Sequence, residues 1–535
     1  MDVWANETHD FVVIGSGFGG SVSALRLSEK GYRVLVLERG KRFNDDDFAR
    51  SNWEVSKYLW LPAARCFGIL QISLLNGVMI LHGSGVGGGS LGYANVLMAP
   101  DDHLFDAPGW RDLADWRAVL KPHYATARRM LGVTTYPNVT PADRVMRQLA
   151  NGRTVSPADV GVFFGDPNHD TPDPYFGGLG PARRGCCECG GCMVGCRHNA
   201  KNTLVKNYLY LAERHGARIA PETEVTEIRP LPPDQPDAAR YELVCRSSTR
   251  WWARPRRLRA RRVVVSAGVL GTLRLLLHCR DVARSLPHLS LRLGDRVRTN
   301  SEALMGAIAG NAVDYSKGVA ITSVFQADEV TRVEPVRFPA GSSLMRLLAA
   351  PLLPPDQRLW RRWLRAAGHW LRHPDHFYQN YIQPGWANRT TIMLVMQTED
   401  NHMSLRLGRN LFTLGRRGLV TRPEGNSVPA RIEIGHQVTR AFAEAVNGIP
   451  ADSVAESLLN LPITAHILGG CPIGRSPEEG VVNIHCEAHG YPGLYIVDGS
   501  IVPANPGINP SLTITALAEY AMEHIPARDT MSSAL

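Results

Sequence analysis

Five of the ten cysteines fall within one short stretch, between positions 186 and 196. Four of them repeat the spacing C-x2-C-x2-C-x3-C with which ferredoxins ligate iron–sulfur clusters, namely Cys186, Cys189, Cys192 and Cys196. Arg197 stands where a proline usually follows such a run, and Cys187 is left over. Because thiolates at C-x2-C spacing also bind zinc, three interpretations stay open: a [4Fe–4S] cluster, a zinc ion, and free thiols in a glycine-containing turn.

A glycine motif near the start of the chain has the spacing that binds a dinucleotide. An apolar run, Phe11 to Ile14, leads into Gly15-Ser16-Gly17-Phe18-Gly19-Gly20, and a periodic apolar stretch follows. The pattern predicts a strand, a tight turn at the first glycine, a close approach to pyrophosphate at the second, and tight helix–strand packing at the third. A second strand ends at Glu38. A carboxylate there suits a ribose hydroxyl, which favours FAD or NAD over NADP.

A second glycine-rich stretch follows, from Gly83 to Asn95: Gly83-Ser84-Gly85-Val86-Gly87-Gly88-Gly89-Ser90-Leu91-Gly92-Tyr93-Ala94-Asn95. So many glycines disfavour the interior of a helix or strand. A flexible loop is one interpretation. We favour the other, in which the backbone lies against a cofactor where side chains would be in the way.

The whole chain has the composition of an ordinary soluble globular protein. Its 535 residues are enough for two or three domains, and 44% are hydrophobic and 20% charged. The formal net charge of +9 comes mostly from arginines spread over several segments, which indicates a basic enzyme without a nucleic-acid partner. The first ten residues are polar and the nucleotide-binding strand follows at once, so we expect no signal peptide, a cytoplasmic protein and reduced thiols.

Two basic, tryptophan-containing segments need an explanation. Arg250 to Arg262 holds seven arginines with Trp251 and Trp252, and we interpret it as an exposed hairpin. Leu344 to His373 is amphipathic and carries tryptophans among arginines. It suits a helix at a membrane interface and equally a lid that packs its tryptophans on the protein's own core. Membrane contact through residues 344–373 therefore stays open.

Later segments of the chain have helix and strand patterns, and some of them are expected to belong to the nucleotide-binding domain. Residues 110–130 and 201–214 have helical patterns, and Arg218 to Ile228 has the pattern of a single strand, which carries Val225. Arg262 to Gly268 has the pattern of a strand followed by a helix, so the nucleotide domain is discontinuous. Near the C-terminus come AHILGGC at 465–471, a strand at 494–500, and a loop from Asn505 to Pro510 that opens a helix.

With these segments in place, the chain resembles the glucose–methanol–choline (GMC) flavoprotein oxidoreductases, most closely the bacterial cholesterol oxidases and their actinobacterial relatives. The carrying motifs are IGSGFGGSVSALRLSEKGYRVLVLERG, GSGVGGGSLGYANVLMAP, VVVSAGVLGT, AHILGGCPIG and YIVDGSIVPANPGINPSLTITALAE. The resemblance implies an α/β fold: a discontinuous Rossmann-type FAD-binding domain (1–44, 77–100, 200–298 and 462–535) beside an α+β substrate domain on a mostly antiparallel sheet (45–76, 101–199 and 299–461), with the cysteine-rich insertion at 185–199.

The resemblance also implies where FAD binds. The loop from Gly87 to Asn95 would run beside the flavin, Asp498 would contact the ribityl or pyrophosphate region, and Asn509 and Pro510 would approach the flavin ring. No histidine follows the glycine loop to tether the flavin, so we expect non-covalent FAD. The expected cofactor-binding residues are Gly15, Gly17, Phe18, Gly19, Gly20, Glu38, Gly83, Gly87, Gly88, Ser90, Asn95, Val225, Ala267, Gly268, Asp498, Gly499, Asn509 and Pro510.

His466 and Asn509 are the expected catalytic residues. Oxidation of an alcohol needs a base for the hydroxyl proton and a hydride acceptor in line with the carbon. A neutral His466 beside its Gly-Gly turn could accept that proton, although a lone histidine can also be a core residue. Asn509 could be a turn residue or a helix cap, but the resemblance makes it the partner of the substrate oxygen.

The expected reaction is oxidation of a hydrophobic, sterol-like or polyketide-like alcohol, with hydride transfer to flavin N5 and with oxygen or a redox acceptor protein as oxidant. Cholesterol oxidases also carry a glutamate, just before a strand of the substrate domain, for double-bond isomerisation. The matching stretch, Gly385 to Thr390, has none, and Glu399 lies beyond the strand, which puts isomerisation in doubt. One alternative is a dehydrogenase that passes electrons through the cysteines; another is a non-catalytic, membrane- or partner-docked flavin protein.

Overall fold

The structure is a computed structural model that describes residues 7–235, 237–356 and 358–528. The expectation about the polar N-terminus falls partly on residues 1–6, and the last expected FAD-binding segment ends at 535. Residues 1–6 and 529–535 lie outside the described part.

The α-helices of the described residues are short to medium in length: α1 (Phe18–Glu29), α2 (Val55–Tyr58), α3 (Trp116–Met130), α4 (Pro141–Leu149), α5 (Tyr208–Arg214), α6 (Gly268–Asp281), α7 (Leu359–Arg372), α8 (Pro374–Phe377), α9 (Trp386–Arg389), α10 (Glu433–Ala445), α11 (Val454–Leu459) and α12 (Ser511–Glu523). Among the described residues, no helix is both long and apolar enough to cross a membrane.

The strands are β1 (Thr8–Ile14), β2 (Val34–Leu37), β3 (Trp60–Leu61), β4 (Cys66–Phe67), β5 (Leu70–Leu74), β6 (Met79–Gly83), β7 (Thr134–Thr135), β8 (Val155–Pro157), β9 (Asp159–Val160), β10 (Asp170–Thr171), β11 (Arg183–Arg184), β12 (Arg218–Ala220), β13 (Thr223–Pro230), β14 (Tyr241–Ser247), β15 (Arg256–Val265), β16 (Asp295–Arg298), β17 (Ala303–Ile308), β18 (Ser323–Gln326), β19 (Thr331–Val336), β20 (Ala349–Pro351), β21 (Thr390–Gln397), β22 (His402–Gly408), β23 (Gly418–Glu424), β24 (Ile449–Ser453), β25 (Ile463–Thr464), β26 (Leu468–Gly470) and β27 (Leu494–Ile496).

A parallel sheet forms the nucleotide-binding part of the fold. Strand β1 pairs in parallel with β2 and with β15, β12 extends the sheet beyond β2, and β27 extends it beyond β15. The apolar runs of these strands are buried. Helix α1 packs on β1, β2 and β15, and α5 and α12 pack in turn against α1. The antiparallel strands β13 and β14 continue the sheet from the first half of β15. The expected Rossmann-type, mixed α/β fold is confirmed.

Backbone segments approach one another very closely at the carboxyl end of this sheet. Gly15 has a φ of +96°, and a Cβ on it would lie 2.2 Å from the carbonyl oxygen of Ser266. A Cβ on Gly19 would lie 1.8 Å from the carbonyl oxygen of Val497. Glycine is therefore required at both positions, because any side chain would push the first helix off the sheet.

The expected single strand from Arg218 to Ile228 is two strands. Pro221 and Glu222 separate β12 from β13, and Glu222 has a left-handed φ of 54°. The break lets β12 join the parallel sheet beside β2 while β13 turns into the antiparallel extension. The hairpin interpretation of the arginine-rich segment agrees with the structure, since Trp251 and Trp252 lie exposed between β14 and β15.

A second large sheet is antiparallel throughout, with the order β20-β24-β17-β21-β19-β18-β8. Val395 on one face packs with Phe442 of α10 in a buried core. Leu304 and Leu394, which alternate with that face, line the main cavity of the protein. The antiparallel sheet thus forms one wall of the cavity, and the parallel sheet forms the other.

Candidate active site

One cavity of about 870 Å³ lies between the two large sheets. Its first half is walled by the carboxyl ends of β1, β2 and β15 and by α6. Its second half is walled by apolar side chains of the antiparallel sheet. His466 and Asn509 lie in its wall, in the loops that precede β26 and α12.

The nucleotide motif lines the first half as expected. Gly15, Gly17 and Phe18 face the cavity. Glu38 also faces it, and its carboxylate accepts hydrogen bonds from Ser16 Oγ at 2.7 Å and from the Gly40 N–H at 2.8 Å. Gly19 and Gly20 do not line the cavity. A Cβ on Gly20 would lie 2.1 Å from the Gly15 carbonyl oxygen, so these two glycines serve helix packing.

The second glycine stretch is a cradle with little side-chain bulk. Gly83 and Gly88 line the cavity, whereas Gly87 and Ser90 lie behind it. The Ser90 hydroxyl donates to the Gly87 carbonyl at 2.6 Å and accepts from the Leu204 N–H at 3.0 Å, which fixes the loop. Asn95 is fully buried next to the cavity wall, and both polar atoms of its amide lack a hydrogen-bond partner among the described residues.

These features fit FAD. The first turn of α1 directs its N-terminus at the cavity, Glu38 can accept from a ribose, and the glycine loop leaves room for a flat ring system. The orphaned Asn95 amide is a buried group that needs a polar partner. Val225, Ala267, Gly268, Gly499 and Pro510 also line the cavity, as expected.

Asp498 is placed differently from the expectation. Its carboxylate accepts from Thr272 Oγ1 at 2.6 Å and from the Ser500 N–H at 2.8 Å, and it does not line the cavity. It therefore holds the start of α6 against the turn at Gly499, and the neighbouring glycine faces the cofactor space instead.

His466 is held by a buried carboxylate that the sequence did not reveal. His466 Nδ1 lies 2.9 Å from Glu302 Oε2, and Glu302 also accepts from Thr464 Oγ1 at 2.9 Å and from the Ala465 N–H at 3.1 Å. Burial opposes a charge on His466, but the Glu302 carboxylate outweighs it, so the pKa of His466 is raised. This contact fixes the ring with Nε2 toward Asn509.

A second carboxyl group lies behind Asn509. The Asn509 amide is 3.5 Å from His466 Nε2. In the orientation that satisfies its neighbours, its nitrogen donates to Glu334 Oε1 at 2.8 Å and Oε2 at 3.2 Å, and its oxygen faces His466. Glu334 is fully buried, and burial raises its pKa to about 8, against the opposing effect of His466.

The stretch at residues 385–390, which has no glutamate, lies in the cavity wall. That stretch forms α9 and the first residue of β21, and it contributes Trp386 and Thr390 to the cavity wall. Besides Glu302, the carboxyl group near His466 and Asn509 is Glu334 on β19, the strand that pairs with β21. The sequence alone does not reveal Glu334, because adjacent strands of a sheet need not be adjacent in sequence.

The second half of the cavity suits an apolar ligand. The antiparallel sheet and its neighbours contribute Leu304, Ile308, Ile321, Val336, Phe338, Met345, Leu348, Ile392 and Leu394. The Thr390 hydroxyl is a buried polar atom in this wall without a hydrogen-bond partner among the described residues. Other cavity residues that the sequence did not reveal are Arg39, Arg274 and a neutral His82, whose pKa burial lowers to about 3.

The cysteine run forms a separate small site. Cys186, Cys189, Cys192 and Cys196 line a cavity of about 20 Å³, together with Cys187. None of the ten cysteines is in a disulfide.

Comparisons with known proteins agree with this architecture. A family described as "GMC oxidoreductase" matches residues 433–518, which include His466 and Asn509, and one described as "NAD(P)-binding Rossmann-like domain" matches residues 13–43. A cholesterol oxidase of Acinetobacter baumannii is 44% identical over 539 residues, which cover 98% of this chain and 96% of that protein.

A cholesterol oxidase of Mycobacterium tuberculosis is 45% identical over 533 residues, covering 96% of this chain and 90% of that protein. The crystal structure of pyridoxine 4-oxidase from Mesorbium loti superimposes with a TM-score of 0.61 at 17% identity, covering 97% of this chain and 99% of that one, which shows a common fold. The chain therefore belongs to the GMC oxidoreductase family and is an FAD-dependent enzyme of that family.

Proposed function

We propose that the enzyme oxidises the hydroxyl group of a hydrophobic, sterol-like alcohol. The observation that carries this proposal is the position of His466 and Asn509, where the nucleotide half of the cavity meets its apolar half. The names of the two cholesterol oxidases, at 44% and 45% identity, support a sterol as substrate.

In this proposal the chain's residues handle the proton and the orientation of the alcohol. Bound FAD supplies the acceptor for the hydride that leaves the carbinol carbon. His466 Nε2 accepts the hydroxyl proton, while Glu302 holds the opposite ring nitrogen and stabilises the positive charge that develops. Asn509 positions the hydroxyl oxygen, and the apolar wall excludes water from the reacting carbon.

Glu334 extends the proposal to isomerisation. Burial raises the pKa of Glu334 to about 8, which makes its carboxylate form a stronger base than an exposed glutamate, and the carboxylate accepts from the Asn509 amide beside the site. Oxidation of a 3-hydroxy-5-ene sterol leaves a ketone with an isolated double bond. A single carboxylate can take the proton from the carbon between the two groups and then return it to the far end of the double bond. Glu334 lies behind Asn509 and does not line the cavity. We therefore propose that Glu334, in its carboxylate form, carries this proton when the Asn509 side chain moves aside.

The segment from 344 to 373 is proposed as a membrane contact. Helix α7 exposes 58% of Trp360 and 51% of Trp363, along with Leu364 and Leu371, next to several arginines. Of Trp360, Trp363 and Trp370, only Trp370 packs against a buried cluster. A lid that packs its tryptophans on the protein's own core therefore describes one of these three residues. Met345 and Leu348, just before α7, line the substrate half of the cavity. An apolar, basic surface at the cavity wall suits docking on an anionic lipid surface.

The electron acceptor in this proposal has two candidates. Oxygen is supported by the relatives that are called oxidases. A one-electron acceptor protein is favoured by the cysteine site beside the glycine loop.

The central test is replacement of the proposed base. In His466→Ala we expect bound FAD to be retained but its reduction by a sterol, followed anaerobically at the flavin absorbance, to slow by about 10²–10⁴-fold. His485→Ala, at a histidine outside the cavity, is the control and keeps the wild-type rate. Wild-type FAD that no sterol or long-chain alcohol bleaches would overturn the proposal.

The role of Glu302 predicts a pH effect. The wild-type pKa of His466 is raised, and the base must be neutral, so activity falls as pH drops through that raised value. Glu302→Gln keeps an acceptor for Nδ1 but removes the charge, so burial then lowers the pKa. We expect the acidic limb of the kcat/KM profile to move down by about 1–3 pH units. An unchanged limb, as expected for the control Glu399→Gln, would contradict this role.

The role of Glu334 predicts a change of product. In Glu334→Gln we expect sterol oxidation within about tenfold of wild type. The product should stay the unconjugated ketone, because the group that moves the proton is gone. Chromatography and ultraviolet absorbance of the products distinguish the two ketones. Conjugated ketone formed at the wild-type rate would exclude Glu334 from isomerisation.

The membrane contact predicts a difference between two tryptophan pairs. The double variant Trp360→Ala/Trp363→Ala should bind vesicles of anionic phospholipid about tenfold more weakly in a sedimentation assay, because each indole contributes interfacial burial. The double variant Trp251→Ala/Trp252→Ala is a matched control, since these indoles are more exposed and also lie among arginines. Equal losses in the two variants, or none, would rule out α7 as the docking surface.

A further inference from the structure

The cysteine run that the proposed oxidation does not use is folded into a ligand site. We propose that Cys186, Cys189, Cys192 and Cys196 bind a [4Fe–4S] cluster behind the glycine loop of the FAD cavity. The proposal extends the proposed function, because such a cluster would determine how electrons leave the enzyme.

The fold brings all four sulfurs to one place. In two-cluster ferredoxins the fourth cysteine of this spacing ligates a different cluster. Here Cys196 lines the same small cavity as the other three, closed by Gly190, Gly191 and Gly318. Gly190 and Gly195 have φ values of +72° and +96°, which lets the short run curl around the cavity.

The separation of the sulfurs distinguishes a cluster from a zinc ion. A zinc ion with Zn–S distances of about 2.3 Å holds its four sulfurs roughly 3.8 Å apart. Within the part of the chain that the structure describes, no three of these four sulfurs lie all within 4.8 Å of one another. A cubane cluster spreads its thiolates further, because each one binds a different iron. Cys187, Cys189 and His198 do lie within 4.8 Å of each other, but Cys187 and His198 are exposed.

A backbone N–H group points at one of the sulfurs. The Glu188 N–H donates to Cys186 Sγ at 3.4 Å. Such hydrogen bonds stabilise thiolates and are one of the means by which proteins adjust the potential of iron–sulfur clusters.

A buried cation beside the sulfurs lacks a buried anion. Lys201 is 2% exposed, and its ammonium donates to the carbonyl oxygens of Leu91, Tyr93 and Cys192 at 2.8–2.9 Å. None of the ion pairs among the described residues includes it. A cluster with four thiolate ligands carries net negative charge and would compensate this ammonium.

The site adjoins the FAD cavity. Lys201 links Cys192 to Leu91 and Tyr93 of the glycine loop, and Tyr93 and Met193 line the main cavity. Oxidation of one alcohol delivers two electrons, and a [4Fe–4S] cluster carries one at a time. Each turnover through the cluster therefore consumes two equivalents of a one-electron acceptor, which makes the enzyme a dehydrogenase.

The test is metal analysis of the full chain purified without air. We expect about four irons and four sulfides per chain and, after reduction with dithionite, the S = 1/2 electron paramagnetic resonance signal of a reduced cluster. Cys192→Ser and Cys196→Ser should each lose most of the iron while FAD content reports that the chain is folded. Cys187→Ser is the matched control and should keep its iron.

Two results would overturn the proposal. One is wild-type protein with full FAD but less than about one iron per chain, even after reconstitution with Fe²⁺ and sulfide. The other is one zinc per chain that Cys187→Ser removes, which would assign Cys187, Cys189 and His198 as zinc ligands. Bleaching of FAD by a sterol needs no iron, so it tests the proposed function separately.

Discussion

The contact between Glu302 and His466 joins the two halves of this molecule. Glu302 directly precedes β17 of the antiparallel sheet, and His466 belongs to the loop between β25 and β26. The carboxylate is fully buried and accepts from Thr464 and Ala465 as well, so the whole loop is anchored to the sheet. Breaking a buried pair of this kind costs about 3–5 kcal/mol, because the remaining partner stays unpaired. The position of the cavity's polar groups depends on this anchor.

The shape and polarity of the rest of the cavity depend on where side chains are missing and where large apolar side chains are present. Close backbone packing at Gly15 and Gly19 brings the first helix to the carboxyl end of the parallel sheet, and the glycine loop leaves the neighbouring space free. The antiparallel sheet, in contrast, lines its wall of the cavity with the apolar side chains of Leu304, Ile392 and Leu394. A polar nucleotide half and an apolar half therefore meet at His466 and Asn509, and the proposed function places the reacting alcohol there.

The sequence allowed prediction of those parts of the site that depend on local patterns. The motif at Gly15 and the carboxylate of Glu38 are recognisable because they rest on short-range spacing. The roles predicted for His466 and Asn509 came from the resemblance of whole motifs to a family. Glu302 lies 164 residues from His466, and no spacing links them. Glu334 was missed for the same reason: only the pairing of β19 with β21 brings it to the site. Pairing across a sheet is a tertiary property, and a single sequence considered alone carries no direct signal of it.

The two strands that pair with β15 in the parallel sheet are synthesised at very different times. Strand β15 pairs with β1 on one side and with β27 on the other, and these partners come from opposite ends of the chain. During synthesis the β27 edge of β15 stays unpaired until residues 494–496 emerge from the ribosome, after the entire antiparallel sheet has been made. Long-range pairing of this kind folds slowly, and an open, apolar strand edge invites wrong partners. We therefore expect the nascent chain to need protection of this edge, by chaperones or by early pairing elsewhere, from the emergence of β15 to that of β27, which is a little under half of its translation.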